Sequence, residues 1–424
     1  MKKILLFGAG KSATCLIDYL IMESGLHDWE LTVADGNLSL AQSKTRQAAR
    51  TRAVSVDVQQ DEARKKLVDS ADMVISLLPP SLHHLVARDC IEFGKHLLNA
   101  SYVDDQTRKL ENTIREKGLL FLCEMGLDPG LDHMSAMQLI HRVRARGAVI
   151  HSFRSHTGGL VAPESDDNPW HYKISWNPRN VVTAGKEGAV YREEGVVKKK
   201  KYHEIFEDCG QVTVNGSGSF AWYPNRDSLG YLSLYGMEDV VTFIRTTLRH
   251  PDFCAGWKAI VAAGLTDDQQ PLQTAGLSFR QWSLPLLPFV NDNNRTQLSY
   301  LGLFDDQPVP ASASNAADIL QFLLETKLPM HPHDKDMIVM LHELGLSEGA
   351  RHYRLASSLV VKGEDHLHTA MARTVGLPLG IAAKLVLENK IKLTGLHIPI
   401  LPEIYEPVMR ELEKEGISFR EELA

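Results

Sequence analysis

The sequence predicts an α/β protein: an N-terminal doubly wound parallel sheet, followed by a mixed α/β region with a helical insertion. Three observations predict it. Short apolar runs alternate with helix-spaced segments from Ile4 to Cys123. That alternation stops after Gly126. The chain has 424 residues, more than one ordinary core organises.

Taken in order, Ile4–Phe7, Leu31–Ala34, Ala53–Val56, Met73–Leu77, His96–Asn99 and Leu119–Cys123 read as buried parallel strands. Helical spacing fills the gaps at Lys11–Met22, Leu40–Arg50, Asp61–Val68, Leu82–Glu92 and Thr107–Lys117. His133–Val143 reads as a further helix. Val181–Thr183, Ala189–Tyr191 and Gln211–Val214 look β-like, separated by loops rich in Gly, Pro and Asn. Glu238–Arg249 and Phe253–Ala263 look helical, as does Asn315–Thr326 with Ser314 as its N-cap. Met337–His342 and Tyr353–Val361 resemble strands. The tail is helical at Ala370–Val375, Gly380–Glu388 and Leu401–Lys414. The boundaries that follow are 1–125 for the first domain and 126–364 for the second, with the insertion at about 238–330.

Composition narrows the function. A hydrophobic fraction of 44% and a charged fraction of 23% suit a soluble globular chain. The net charge of -7 argues against nucleic acid or an anionic membrane as partner. Cys15, Cys90, Cys123, Cys209 and Cys254 form no CxxC pair and are odd in number, so reduced thiols and a cytoplasmic location are expected. Ile4–Phe7 is too short for a signal-peptide core, and no stretch approaches the length of a membrane span. Lys198–Lys201 reads as a solvated turn or strand. The histidine pairs His83/His84, His331/His333 and His366/His368 lack a carboxylate or cysteine at ligand spacing, so no catalytic metal is expected.

Gly8-Ala9-Gly10-Lys11-Ser12-Ala13 follows a predicted strand and opens a predicted helix. That context makes it a Rossmann dinucleotide fingerprint. Gly8 turns the chain, Gly10 lets a pyrophosphate approach the backbone, and Ala13 lets the helix pack closely. The helix N-terminus, beginning at Lys11 and Ser12, offers free N–H groups to phosphate. Asp35 ends the second strand, where a carboxylate accepts from ribose hydroxyls and repels a 2′-phosphate. With no arginine directly after it, NAD is favoured over NADP. Asp57, Leu77, Pro79 and Ser101 lie at further strand ends, where ligands sit in doubly wound sheets.

Glu124-Met125-Gly126-Leu127-Asp128-Pro129-Gly130-Leu131-Asp132-His133 leaves the sixth strand. Together with Gly158–Leu160, Ala162–Glu164, Trp176–Arg179, Pro224–Ser228, Thr247–Arg249 and Thr374–Pro378, it resembles saccharopine dehydrogenase of the glutamate-forming type. The matching pieces run in the family's order over nearly the whole chain. The resemblance implies a Rossmann domain completed by the tail at about 365–424, homodimers and a nicotinamide cofactor. It also implies oxidative cleavage of a secondary amine: saccharopine, water and NAD(P)+ give glutamate, 2-aminoadipate 6-semialdehyde and NAD(P)H, or the reverse.

Such a substrate carries two or three carboxylates. Arg226, Arg245 and Arg249 can take them bidentately. Ser101 and Tyr102 can orient substrate, and Tyr102 and Asp128 are the candidate proton carriers. Asp128 also reads as a turn and N-cap residue, Tyr102 as packing, and the arginines as caps or surface pairs. His156 is a weaker proton-carrier candidate. Two departures from the family pattern stand out. Thr157 precedes Gly158-Gly159 where a cysteine is common, and Asp35 differs from NADP-using members. Related amine dehydrogenases, such as carboxynorspermidine synthase and lysine 6-dehydrogenase, share the plan with fewer substrate carboxylates. A non-catalytic NAD-binding sensor would keep the glycine loop alone.

Overall fold

In the computed structural model, which describes residues 1–423, the chain runs through 17 strands and 14 α-helices. The first stretch is β1 (Lys2–Phe7), α1 (Thr14–His27), β2 (Trp29–Asp35), α2 (Leu38–Thr45), β3 (Thr51–Ser55), α3 (Asp61–Asp69) and β4 (Met73–Ser76). It continues with α4 (His83–Phe93), β5 (His96–Asn99), α5 (Asp105–Arg108), α6 (Glu111–Glu116), β6 (Leu120–Leu122) and α7 (Leu131–Ala145). Next come β7 (Val149–Val161), α8 (Pro178–Val182), β8 (Ala189–Glu193), β9 (Val196–Lys200), β10 (Gly210–Val214), β11 (Gly218–Pro224), β12 (Arg226–Asp227) and β13 (Thr242–Arg249). The remainder is α9 (Pro251–Ala262), α10 (Phe279–Trp282), α11 (Arg295–Tyr300), α12 (Ala316–Lys327), β14 (Asp336–Glu348), β15 (Arg351–Lys362), α13 (Ala370–Leu387), β16 (Gly395–His397), α14 (Pro402–Lys414) and β17 (Arg420–Leu423).

Two compact units result: Met1–Val143 with Leu367–Ser418, and Arg144–His366 with the final residues from Phe419. The first holds a seven-stranded sheet in the order β16-β6-β5-β4-β1-β2-β3, parallel at every pairing. All four residues of β4 are buried, as expected of a strand with helices on both faces. β16, from the tail, pairs with β6 and extends the sheet. α13 crosses α1 closely because Gly376 and Gly380 carry no side chain. A Cβ at Gly376 would stand 2.8 Å from the Leu16 nitrogen, and one at Gly380 2.8 Å from the Tyr19 ring. α14 buries Ile404, Tyr405, Val408, Met409 and Leu412 on one stripe.

The second unit is built on a mixed sheet with the main order β10-β11-β13-β7-β14-β15-β17. β13 runs parallel to β7, and β14 antiparallel to both β7 and β15. α8 to α12 pack over a core that includes Trp170, Tyr172, Trp257, Ile260, Leu320 and Leu324.

Several sequence expectations need correction. Glu238–Arg249 is not helical: Thr242–Arg249 is a strand, buried at seven of its eight positions. Thr242, Ile244, Thr246 and Thr247 favour an extended chain, and this outweighs the helix-like spacing of Arg245 and Arg249. The helical insertion therefore begins at Pro251. Val181–Thr183 is not a strand but the end of α8, started by Pro178 and capped by the Asn177 side chain on Arg179 N–H. Asn315, not Ser314, caps α12, accepting from Asp318 N–H. Thr107–Lys117 breaks into α5 and α6, and the two tail segments around Pro378 are one continuous α13. α7 belongs mostly to the first unit rather than the second. One helix, Ala370–Leu387, is long and apolar enough to cross a membrane by length and composition, against the expectation of none. Its window is 83% buried, as in the core helix of a folded domain.

Candidate active site

The glycine loop is shaped by contacts that only its own residues allow. Gly8 has φ +101, and a Cβ there would stand 2.7 Å from the Leu77 carbonyl oxygen. Its N–H donates to Ala34 O at 2.8 Å, tying the loop to β2. A Cβ at Gly10 would meet nothing within 4 Å, so open space lies over the backbone where a pyrophosphate must approach. Lys11, Ser12 and Ala13 form a single 3-10 turn leading into α1. Asp35 is committed to the loop: its Oδ2 accepts from Ala9 N–H at 2.7 Å and its Oδ1 from Asn37 N–H at 2.8 Å. The carboxylate thus orients the turn and retains lone pairs for a ribose. Asp57 sits in the exposed turn after β3, its Oδ1 accepting from Gln59 N–H at 3.0 Å.

Lys44 was not foreseen. Its ammonium donates to the Gly10 carbonyl and to Thr14 Oγ1, placing a cation against the glycine loop. Burial pushes it down to about 8. No spacing rule points to it, because α2 carries it back across the sheet.

At the ends of β4, β5 and β6 a second polar group assembles. Ser76 Oγ meets His83 Nδ1 at 2.8 Å, and His83 Nε2 meets Ser101 Oγ at 2.8 Å. Burial holds His83 down at about 4, so the ring is neutral and carries one donor and one acceptor. Ser101 N–H donates to Asn99 Oδ1 at 3.0 Å. The Tyr102 hydroxyl donates to Asp128 Oδ1 at 3.1 Å. The loop bearing Asp128 is fixed by two glycines: a Cβ at Gly130 would lie 2.2 Å from the Gly126 carbonyl oxygen. His133 joins it, with Nε2 2.9 Å from Glu124 Oε2. Leu77 and Pro79 follow β4, Leu77 half-buried and Pro79 exposed.

The second unit presents a different kind of site. Along β13, Arg245, Thr247 and Arg249 alternate onto one face, with Thr247 paired to Thr157 on β7. Arg245 and Arg249 are buried at 2% and 4% exposure. The Arg245 guanidinium lies 4.5 Å over the Tyr231 ring. That of Arg249 lies 5.3 Å over Tyr172 and 5.5 Å over Phe253. Its Nη1 donates to Leu248 O at 2.8 Å, while Nε has no partner among the described residues. Burial raises Tyr172 and pushes Tyr223 up to about 12, so both phenols stay neutral beside this cation. A buried guanidinium with no carboxylate partner among the described residues is prepared for an anion from outside the chain.

Other candidates lie elsewhere. Arg226 is exposed, at φ +50, and pairs with Glu187 at 2.7 Å. His156 lies on the opposite face of the sheet from Thr157, bonded to Thr246 Oγ1 at 2.6 Å and to Glu343 Oε2 at 3.1 Å. That bond holds Glu343 below the usual carboxylate range.

A Rossmann-type unit with a shaped dinucleotide loop, in one chain with a mixed-sheet unit carrying buried arginines, defines a class: two-unit proteins with a dinucleotide-binding fold. The chain belongs to the saccharopine dehydrogenase family. Residues 4–122 match the saccharopine dehydrogenase NADP binding domain, and residues 126–417 the saccharopine dehydrogenase C-terminal domain. The Saccharomyces cerevisiae saccharopine dehydrogenase (NADP(+), L-glutamate-forming) is 33% identical, across 99% of each chain. The mouse mitochondrial alpha-aminoadipic semialdehyde synthase is 33% identical over 99% of this chain. The chain spans 47% of that relative. Apo saccharopine dehydrogenase (L-Glu forming) from S. cerevisiae superimposes with a TM-score of 0.87 at 32% identity, covering 100% of both chains. A homospermidine synthase from Legionella pneumophila shares the fold, with a TM-score of 0.60 at 10% identity.

Proposed function

We propose that this chain oxidises the secondary amine of saccharopine at its C–N bond, giving glutamate and 2-aminoadipate 6-semialdehyde, or runs the reverse condensation. The observation that carries the reading is Arg249 on β13, buried at 4% exposure with no carboxylate partner among the described residues. Burying a cation without a counter-ion is costly, and a substrate with several carboxylates repays it. Full-length likeness to the yeast enzyme supports the same substrate.

In this reading Gly8, Gly10 and the start of α1 would hold a nicotinamide dinucleotide, which when bound would supply the hydride acceptor for the carbon next to the amine nitrogen. The chain's residues do the rest. Arg245 and Arg249 hold carboxylates. Asp128, hydrogen-bonded by Tyr102, takes a proton from the amine nitrogen and returns it to that nitrogen once water has added to the carbon and the C–N bond breaks. His83, neutral and fixed at both nitrogens, orients Ser101 at the end of β5. Thr157 lines the arginine face, while Arg226 meets a carboxylate only by leaving Glu187. NAD is our preferred cofactor because Asp35 ends β2, although the yeast relative is named for NADP(+). The resemblance and the five free cysteines support a cytoplasmic homodimer.

The test is absorbance at the reduced-nicotinamide band with saccharopine and NAD+ or NADP+ in parallel. NADH formed with release of glutamate is expected. Turnover with NADP+ alone overturns the Asp35 argument but keeps the reaction. No turnover with either, in a protein that still binds NADH, removes saccharopine in favour of an amine with fewer carboxylates.

A further inference from the structure

In the second unit, one group of metal-ligating side chains plays no part in the proposed chemistry. His171 lies in the loop between β7 and α8, and His250 and Asp252 flank Pro251 at the start of α9. One ligand atom from each lies within 4.8 Å of the others. The finer distances resemble a coordination polyhedron. His171 Nε2 is 3.3 Å from Asp252 Oδ2, and His250 Nδ1 is 3.6 Å from the same oxygen. Ligands about 2.0–2.1 Å from a tetrahedral zinc stand roughly 3.3–3.4 Å apart, the length of the tetrahedron's edge.

Two further observations point the same way. The other nitrogen of His171, Nδ1, is 2.6 Å from Asp166 Oδ2. A carboxylate on the far nitrogen fixes the tautomer and aims Nε2 outward, the usual support of a metal-bound imidazole. The His171 and His250 rings lie only 3.8 Å apart, and His171 holds a left-handed backbone at φ +48.

We propose that His171, His250 and Asp252 bind one divalent first-row transition ion of the zinc class, with Asp166 as the supporting carboxylate and a fourth position left to water. Two imidazoles and one carboxylate select such an ion over Mg2+ or Ca2+, which prefer all-oxygen shells. The site has a structural consequence. Arg249 immediately precedes His250, and its cradle is formed by Tyr172, next to His171, and Phe253, next to Asp252. A bound ion therefore joins the two sides of that cradle.

The experiment is calorimetric titration of the full, chelator-treated protein with Zn2+, and with Mg2+ as control. Thermal unfolding is recorded with and without Zn2+. One Zn2+ per chain and a raised Tm are expected, with no response to Mg2+. His250→Gln and His171→Asn, the latter keeping a residue that tolerates positive φ, should each weaken Zn2+ binding at least about tenfold, and Asp166→Asn about 10–100-fold. Without metal the variants should still unfold cooperatively, slightly below the parent, because His250 Nδ1 also caps α9 by accepting from Asp252 N–H at 3.3 Å and Asp166 is bonded to His171. No Zn2+ uptake by the parent, or equal uptake by parent and both histidine variants, overturns the proposal. Neither result depends on turnover.

Discussion

The glycine loop of the first unit and the arginine strand of the second are built by opposite means. The first is made of backbone: Gly8 under Leu77, the space over Gly10, and the Ala9 N–H held by Asp35. The second is made of charge taken out of water, with Arg249 sealed among Tyr172, Tyr223 and Phe253. A backbone site tolerates almost no added atom. A buried-charge site gives up stability to its uncompensated cation, and losing that cation would cost affinity rather than stability.

The largest effect should fall on the charge side. Arg249→Met should lower kcat/KM about 100-fold or more, mainly through KM, since truncating one partner of a buried charge pair costs about 2–5 kcal/mol. The empty protein should be no less stable, because the variant also removes the buried cation. Steady-state kinetics beside urea unfolding reads both, and a loss of stability equal to the loss of binding would erase the contrast. On the backbone side, Gly8→Ala should cost about 1–3 kcal/mol of stability from positive φ alone, and weaken dinucleotide binding as well. Unfolding midpoints and NADH fluorescence titration check this; a wild-type midpoint would mean that the loop adapts.

His83 sharpens the comparison with pH. Its folded pKa of about 4 lies below the roughly 6.5 of an unfolded histidine. The unfolded chain therefore binds more protons in that window, so stability falls as pH drops from about 6.5 to about 4, by up to about 3 kcal/mol. His83→Gln should flatten this limb of the stability profile while lowering kcat by roughly tenfold through a loosened Ser101. An unchanged acid limb would assign that titration to other groups. The smallest effect is expected at Asp35. Asp35→Ser should move the NADP+/NAD+ preference about tenfold toward NADP+, through relief of repulsion alone. Paired kcat/KM values measure it.

The same contrast explains what could be read from the sequence. The glycine loop, its strand and its helix are consecutive residues, so Gly8, Gly10, Ala13 and Asp35 were visible as one pattern. Asp128 and Tyr102 were nameable for a similar reason, each at a strand end. That they touch is a fact of tertiary structure. The arginine face was misread at its root. Arg245 and Arg249 stand four apart, which suits a helix face as well as it suits alternate positions of a strand. Only the β-branched Thr242, Ile244, Thr246 and Thr247 between and beside them argue for the strand. Lys44, the His83 relay and the opposite placement of His156 and Thr157 depend on register between distant segments, which no local spacing encodes.

The tail's return to the first sheet also sets a timetable. β16 lengthens that sheet and α13 covers α1, yet both are synthesised only after the whole span from Arg144 to His366. At about 5–20 residues per second, the nascent first unit waits roughly 10–45 s with Leu16 and Tyr19 of α1 still uncovered. A chaperone that binds apolar helix faces would find its longest opportunity there, before Gly376 and Gly380 arrive.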